Sequence, residues 1–367
     1  MDISKLRIAL VHDWLTVPAG SEEVFEQMCS LFPGTVFTSQ WDASRVKFIS
    51  HLEVRTSFVQ RLPFALRKHY LYAPLLPRVY ERFDLSSFDL VLSDSHSFAH
   101  GVRKAPHALH INYYHTPARS LWVPEIDPRA SKTWLHRLIA RRLRRLDLVA
   151  SKRPDVLLAN SLTTADRIRK FYGREASVIY PPVHVARWLD VPRVSSEEGF
   201  LYWGRLIDYK RVDVAIEAVR QTGDKLHIVG SGPLDSKLRA QAGGLSNVVF
   251  HGRLGDQALK DLMSRCRAVL FPAYEDFGIV PVEAMAAGLP VIAYGEGGAK
   301  ETVTPEFGVQ MPSQTAEAMV SAIEELASRE FDPEKLREHA KRFDVEAFRS
   351  KYAEAVRAAV DSHFPTP

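Results

Sequence analysis

Glu275-Asp276-Phe277-Gly278-Ile279-Val280-Pro281-Val282-Glu283 is framed by two glutamates with seven residues between them, across a junction between a strand and a helix. Ahead of it, Ala268-Val269-Leu270-Phe271-Pro272 is a short apolar run that reads as a buried strand. Behind it, residues from about Ile279 to Ala287 are mostly Ala, Val, Ile and Met, and Gly288-Leu289-Pro290 closes the helix they form. A strand, a glycine-containing turn and a helix start make an anion site, because unpaired backbone N–H groups and the helix dipole point the same way. Glu275 falls in the turn, and Glu283 falls one or two helical turns further on. A carboxylate on so apolar a helix is costly unless it is bound by something. Phosphate at the helix start, with two carboxylates ready to accept from hydroxyls, describes a pocket for a nucleotide sugar. The bland alternative is one surface acid and one buried structural acid.

Working outward, strand-like runs recur at Gly199–Trp203, Lys225–Val229, Val248–Phe250, Ala268–Phe271 and Val291–Ala293, with helical stretches such as Val212–Gln221, Pro233–Ala242 and Asp256–Arg265 between them. This alternation predicts a parallel sheet covered on both faces, with ligands at the C-terminal ends of its strands. Arg205 and Lys210 follow the first of these strands. Arg grips phosphate as a fork and Lys adds a point charge; the bland reading is a solvated loop beside Asp208. Gly230-Ser231-Gly232 follows another strand, but Asp235 stands where a dinucleotide fingerprint needs its third glycine, so NAD is discounted. In the N-terminal half the best strands are Arg7–Val11, Leu90–Leu92, His110–Tyr114 and Val156–Ala159. Polar residues Val191–Gly199 read as the linker.

The ordered set Gly204-Arg205 with Lys210, Gly230-Ser231-Gly232, Phe250-His251-Gly252, Glu275/Glu283 and Gly297-Gly298 resembles the retaining family 4 glycosyltransferases of the GT-B fold, strongly over residues 200–310 and weakly before them. The resemblance implies two Rossmann-like α/β domains facing a cleft: residues 1–190 for the acceptor and 191–344 for the nucleotide sugar, with a last helix, about 345–367, crossing back onto the first. It also implies roles. Gly20, Arg205, Lys210, Gly278 and Ile279 would contact the donor diphosphate; His115, Glu275, Phe277 and Gly278 the donor sugar; Glu283, Gly230, Gly252 and Arg253 the nucleoside. Arg253 either reads a guanine or is simply exposed. His115, Glu275, Arg205 and Lys210 would carry the catalysis, the two cations neutralising the leaving diphosphate with no metal and no cofactor. His115 lies in Tyr113-Tyr114-His115-Thr116-Pro117-Ala118-Arg119, which looks most like bacterial mannosyltransferases that build polysaccharide on lipid carriers; a lone histidine is otherwise usually structural. GDP-mannose is the expected donor and a lipid-linked or glycan acceptor the expected partner. Where related proteins carry two glycines after the first strand, this chain has Pro18-Ala19-Gly20-Ser21-Glu22, so only Gly20 carries over, and the plain alternative is a turn with Ser21 capping the next helix. Two other classes stay open: a GT-B nucleotide-sugar epimerase and a non-catalytic sugar-nucleotide-binding protein.

Bulk properties agree with a two-domain enzyme. The chain has 367 residues, 46% hydrophobic and 25% charged. Leu6–Val11 is too short for a signal peptide and reads as a first strand. No apolar run has the length of a membrane span. Cys29 and Cys266 read as reduced thiols, which fits the cytoplasm. Charge divides unevenly: residues 1–187 hold 27 Lys and Arg against 17 Asp and Glu, a net +10, and the remainder holds 21 against 27, a net −6. Within the basic half, Ser131–Arg153 sets Trp134, Leu135, Leu138, Ile139, Leu143 and Leu146 at helical spacing among Lys132, Arg137, Arg141, Arg142, Arg144, Arg145, Lys152 and Arg153. This is a basic amphipathic helix. Either it packs on the core with a solvated face, or it lies on an anionic membrane through Arg141, Arg142, Arg144 and Arg145. The second reading, with the apolar-basic stretch Phe58–Tyr80 in support, places the protein peripherally on the inner membrane face. Nucleic acid is not an expected partner.

Overall fold

A computed structural model of the chain describes residues 2–67, 69–124, 133–194 and 198–364. The chain forms two compact units, Met1–Pro182 with Phe348–Pro367, and Val183–Ala347.

The first unit holds seven parallel strands: β1 (Ile8–His12), β2 (Thr35–Thr38), β3 (Val54–Thr56), β4 (Leu90–Ser95), β5 (Leu109–Tyr114), β6 (Val156–Ala159) and β7 (Ser177–Val178), in the order β3-β2-β1-β4-β5-β6-β7. Every residue of β1, β4 and β5 is buried, as expected where helices cover both faces of a sheet. Between β1 and β4 the strand order reverses direction, which opens a crevice at their C-terminal ends. The register there pairs His12 with Asp94. The last helix, Val345–His363, ends in this unit, and its Phe348, Tyr352, Val356 and Val360 join the core formed with Leu10, Phe25, Leu92 and Tyr113.

In the second unit six parallel strands, β8 (Phe200–Trp203), β9 (Leu226–Val229), β10 (Val248–Gly252), β11 (Ala268–Phe271), β12 (Val291–Tyr294) and β13 (Gly308–Met311), run in the order β10-β9-β8-β11-β12-β13. The same reversal occurs between β8 and β11. Both sheets therefore have the doubly wound topology of a Rossmann-like domain. The division between units lies at Pro182–Val183 instead of within the expected linker Val191–Gly199, of which residues 195–197 lie outside the described residues. The reason is local: Val183 bridges to Asp344 and Trp188 packs on Trp203, which ties residues 183–191 to the second unit.

Candidate active site

Phe200-Leu201-Tyr202-Trp203 is apolar enough to be a central strand, and it delivers Gly204-Arg205 to the crevice of the second unit. Arg205 is exposed, and its Nη2 donates to the Tyr209 hydroxyl at 3.2 Å. Lys210 ends a short 3-10 helix, Asp208–Lys210, and is buried. Its ammonium pairs with the Glu275 carboxylate and lies 5.3 Å from the centre of the Phe271 ring. Two residues 65 positions apart, from the loops after β8 and β11, are thus joined at the crevice.

Backbone packing explains the glycines of these motifs. A Cβ on Gly298 would stand 2.2 Å from Phe277 Cα, while its N–H donates to Glu275 O at 2.8 Å. The 297–298 turn is therefore the floor of the Glu275 loop. Likewise a Cβ on Gly230, with φ of 138°, would stand 1.8 Å from Gly204 O. That turn supports the Arg205 loop. Gly230 N donates to Gly252 O at 2.7 Å, and Arg253, exposed, donates through Nε to Ser231 Oγ at 2.8 Å. Gly230 and Gly252 are thus joined directly, and Arg253 reaches the same turn through Ser231.

Gly278 precedes the helix Ile279–Ala286, whose first turn no side chain caps. Glu283 projects from this helix and accepts a hydrogen bond from Trp188 Nε1 at 3.2 Å. Part of the Glu283 side chain remains reachable from solvent, yet burial lifts its carboxyl to about 7, against the lowering effect of the Trp188 N–H, Arg187 and His184. Trp188 itself is fully buried, with the Arg187 guanidinium 5.0 Å from its ring centre.

The first unit gathers a second group. His115 follows β5, its backbone N–H donates to Ser95 O at 2.9 Å, and its carbonyl accepts from Thr164 Oγ1 at 3.1 Å. Thr164 is well placed because Ser161 caps the helix Leu162–Tyr172 through the Thr164 N–H. Next door, Arg167 donates to Thr116 Oγ1 at 3.0 Å. His12, Asp94 and Glu22 are all buried around His115, and His96 borders them with its ring centre 6.4 Å from that of His115. Gly20 is the first residue of the helix Gly20–Leu31. Ser21 does not cap that helix, because the N-cap is Ala19 and the Ser21 hydroxyl donates to Glu22 at 2.8 Å.

The basic helix spans Trp134–Ala150; Ser131 and Lys132 lie outside the described residues, as does the side chain of Leu135. Asp147 fixes its rotation. Fully buried, it accepts from Trp122 Nε1 and Tyr172 OH, each at 2.7 Å, and lies 3.2 Å from His100 Nε2. Leu143 and Ala150 are buried with it, and Ile139 and Leu146 pack partly inward. The opposite face exposes Trp134, Leu138, Arg141, Arg142, Arg145 and Val149. Arg144 departs from the expected membrane set. It is turned toward the protein, with Nε donating to Leu121 O and its guanidinium 5.8 Å from the Trp122 ring centre. It lies between the outward Arg141 and the inward Asp147, three residues from each and about 60° round the helix from each.

Asp94, His12 and Trp188 were not among the residues singled out from the sequence. For Asp94 and His12 a signal was available, since polar residues end two otherwise apolar strands. Trp188 carries no pattern that would have linked it to Glu283.

The sequence profile described as Glycosyltransferase Family 4 matches residues 35–187, and that described as Glycosyl transferases group 1 matches residues 190–343. The O-antigen chain mannosyltransferase C of Escherichia coli is 32% identical over 171 residues, 45% of each chain. A GDP-mannose-dependent monoacylated alpha-(1-6)-phosphatidylinositol monomannoside mannosyltransferase of Corynebacterium glutamicum is 37% identical over 136 residues, 33% of this chain and 36% of that one. The chain spans about half the length, or less, of the curated relatives named here. Among solved structures, sucrose-phosphate synthase from Thermosynechococcus elongatus superposes with a TM-score of 0.73 at 19% identity, covering 98% of this chain and 100% of that one.

Proposed function

Because the chain belongs to the family 4 glycosyltransferases of the GT-B fold, we propose that it moves a hexose, mannose from GDP-mannose, onto a lipid-linked or glycan acceptor of surface polysaccharide, with retention at the anomeric carbon and without a metal. The observation that carries this reading is the Lys210–Glu275 pair beside Arg205, at the strand-order reversal of the second unit. The fold itself holds together a cation for the diphosphate and an acid for the sugar hydroxyls. In the proposed reaction the acceptor oxygen bonds to the anomeric carbon as that carbon's bond to the phosphate oxygen breaks. The acceptor's hydroxyl proton passes to the departing phosphate, and GDP leaves. Arg205 and Lys210 stabilise the charge that grows on the diphosphate. The donor assignment draws on relatives whose names specify mannosyl transfer and, in one case, GDP-mannose.

Thermal unfolding with a panel of nucleotides and nucleotide sugars tests the donor. A ligand at about 100 times its Kd stabilises by about 2.7 kcal/mol. GDP and GDP-mannose are expected to protect, and UDP, UDP-glucose and NAD are expected to do so far less. Protection by UDP compounds alone would refute the donor, and GDP release that ignores added acceptor lipid or glycan would refute the transfer.

Membrane association belongs to the same proposal. Among the described residues no helix is long and apolar enough to cross a membrane, but the outer face of Trp134–Ala150 combines a tryptophan, a leucine and arginines. Each cation near an anionic surface contributes about 1 kcal/mol and is screened by salt. Co-sedimentation with phosphatidylglycerol vesicles should fall when Arg141, Arg142 and Arg145 become Gln, whereas Arg144→Gln should lower stability more than binding. Binding indifferent to the triple change would make this face a plain solvated surface.

A further inference from the structure

Asp94 is the penultimate residue of β4, at the strand-order reversal of the first unit, with 0% of its surface exposed. Its Oδ1 lies 2.6 Å from His115 Nε2, and its Oδ2 3.1 Å from His12 Nδ1. His12, also fully buried, turns its other nitrogen toward Glu22 Oε1 at 3.8 Å. Three strand ends and one helix start thus supply a chain running Glu22–His12–Asp94–His115. Its last member is the most exposed, with 13% of its side chain accessible.

A buried carboxylate is expensive, and an apolar residue of similar volume would make a cheaper core. What Asp94 supplies that an apolar residue cannot is orientation. An ionised carboxylate only accepts, so a ring nitrogen facing it carries the hydrogen. With Nε2 facing that carboxylate and carrying the hydrogen, the neutral form of the His115 imidazole has Nδ1 as its acceptor. The inner half of the chain keeps Asp94 ionised and in place. Burial alone would drive His12 toward neutrality, but Asp94 and Glu22 raise it to about 10. Burial would likewise raise Asp94, but His115 and His12 bring it down to about 2.

We propose that Asp94 is a positioning residue for transfer, fixing the tautomer and direction of His115 so that the imidazole offers a hydrogen-bond acceptor to a sugar hydroxyl. This rests on the reading of His115 as a donor-sugar contact and adds to it the residue through which His115 is set. Glu22 and His12 hold Asp94 from behind.

Asp94→Asn tests the idea because an amide has one accepting oxygen where two imidazoles each need one. Wherever the amide N–H faces His115, the ring must flip its tautomer or turn away. Turnover should fall about tenfold or more, the scale of one lost hydrogen bond in the transition state, while GDP affinity stays at the wild-type value. A merely structural acid would not give the further expected result: in a double-mutant cycle, Asp94→Asn should cost almost nothing once His115 is Ala. Asp94→Ser is measured alongside and read the same way should the Asn variant fail to fold, and thermal unfolding of each variant fixes the folded fraction. Additive losses, or an Asp94 variant with normal turnover beside an impaired His115→Ala, would overturn the role of Asp94 alone. Normal turnover in His115→Ala would instead overturn the reading of His115, and this proposal with it.

Discussion

Lys210→Ala is expected to lower kcat by about 10²-fold or more, the scale seen when one preorganised group that stabilises developing charge is removed. Arg205→Ala should do the same, but the two variants should differ in a way their surroundings dictate. Arg205 is exposed and bound only loosely, by one hydrogen bond to Tyr209, so its loss should leave stability nearly unchanged. Lys210 is buried beside Phe271 and neutralises Glu275. Its removal leaves a half-buried carboxylate without its cation, which costs more than the pair itself contributes. Lys210→Ala should therefore also unfold earlier, and Lys210→Ala/Glu275→Gln should recover much of that stability with none of the turnover. Activity should survive EDTA throughout, because in the proposed mechanism the two cations take the part a metal plays elsewhere. Near-normal turnover in both single variants, or a strict requirement for added metal, would contradict the mechanism.

How much of this was legible in the sequence depended on whether the signal was local. The second unit announced itself because its strands are short apolar runs separated by helices of regular length, so Ala268–Phe271 and Asp256–Arg265 coincide with the expected elements. The site loops were legible for the same reason: glycines and charged residues interrupt apolar strands, and the topology then sends all of them to one sheet edge. The first unit was harder. β2, Thr35–Thr38, and β3, Val54–Thr56, are brief and lie in sequence with no clear alternation, and the two-residue β7 exists only through its pairing with β6. Helical periodicity placed the basic helix but could not say which arginines face out. That was decided by a tertiary contact, the burial of Asp147 among His100, Trp122 and Tyr172. Partners distant in sequence were invisible for the same reason. Trp188 and Glu283 are 95 residues apart, and Asp94 lies 82 residues from His12. Nothing in either neighbourhood marks the other.

The affinity for GDP should rise with pH up to about 7 and then level off, and Glu283 should be the cause. In the free protein burial holds its carboxyl up near 7, with Asp256 adding to the rise, while the Trp188 N–H, Arg187 and His184 oppose it. Arg187 is itself paired with Asp256, which weakens its help. Ribose hydroxyls donate to a carboxylate better than to a carboxylic acid, so a bound nucleoside favours the ionised form and lowers that pKa. Below pH 7, binding must then release a proton, and log affinity should climb by up to about one per pH unit. Without ligand the sign for stability is opposite. A folded pKa raised above the ordinary 4.5 means the contribution is complete below 4.5 and is lost as pH rises through about 7. Glu283→Gln removes both dependences, and it serves as the reference that cancels the titration of the GDP phosphates. Trp188→Phe keeps the packing against Trp203 but takes away the N–H, so the rise in affinity should move to higher pH, with the greatest loss near neutrality. Calorimetric titration of GDP between pH 5.5 and 8.5, each limit about 1.5 units from that pKa, separates the cases. A wild-type profile that matches Glu283→Gln would mean that this carboxylate does not hold the ribose, and equal loss of GDP affinity in Glu275→Ala and Glu283→Ala would mean that the two acids do not divide sugar and nucleoside between them.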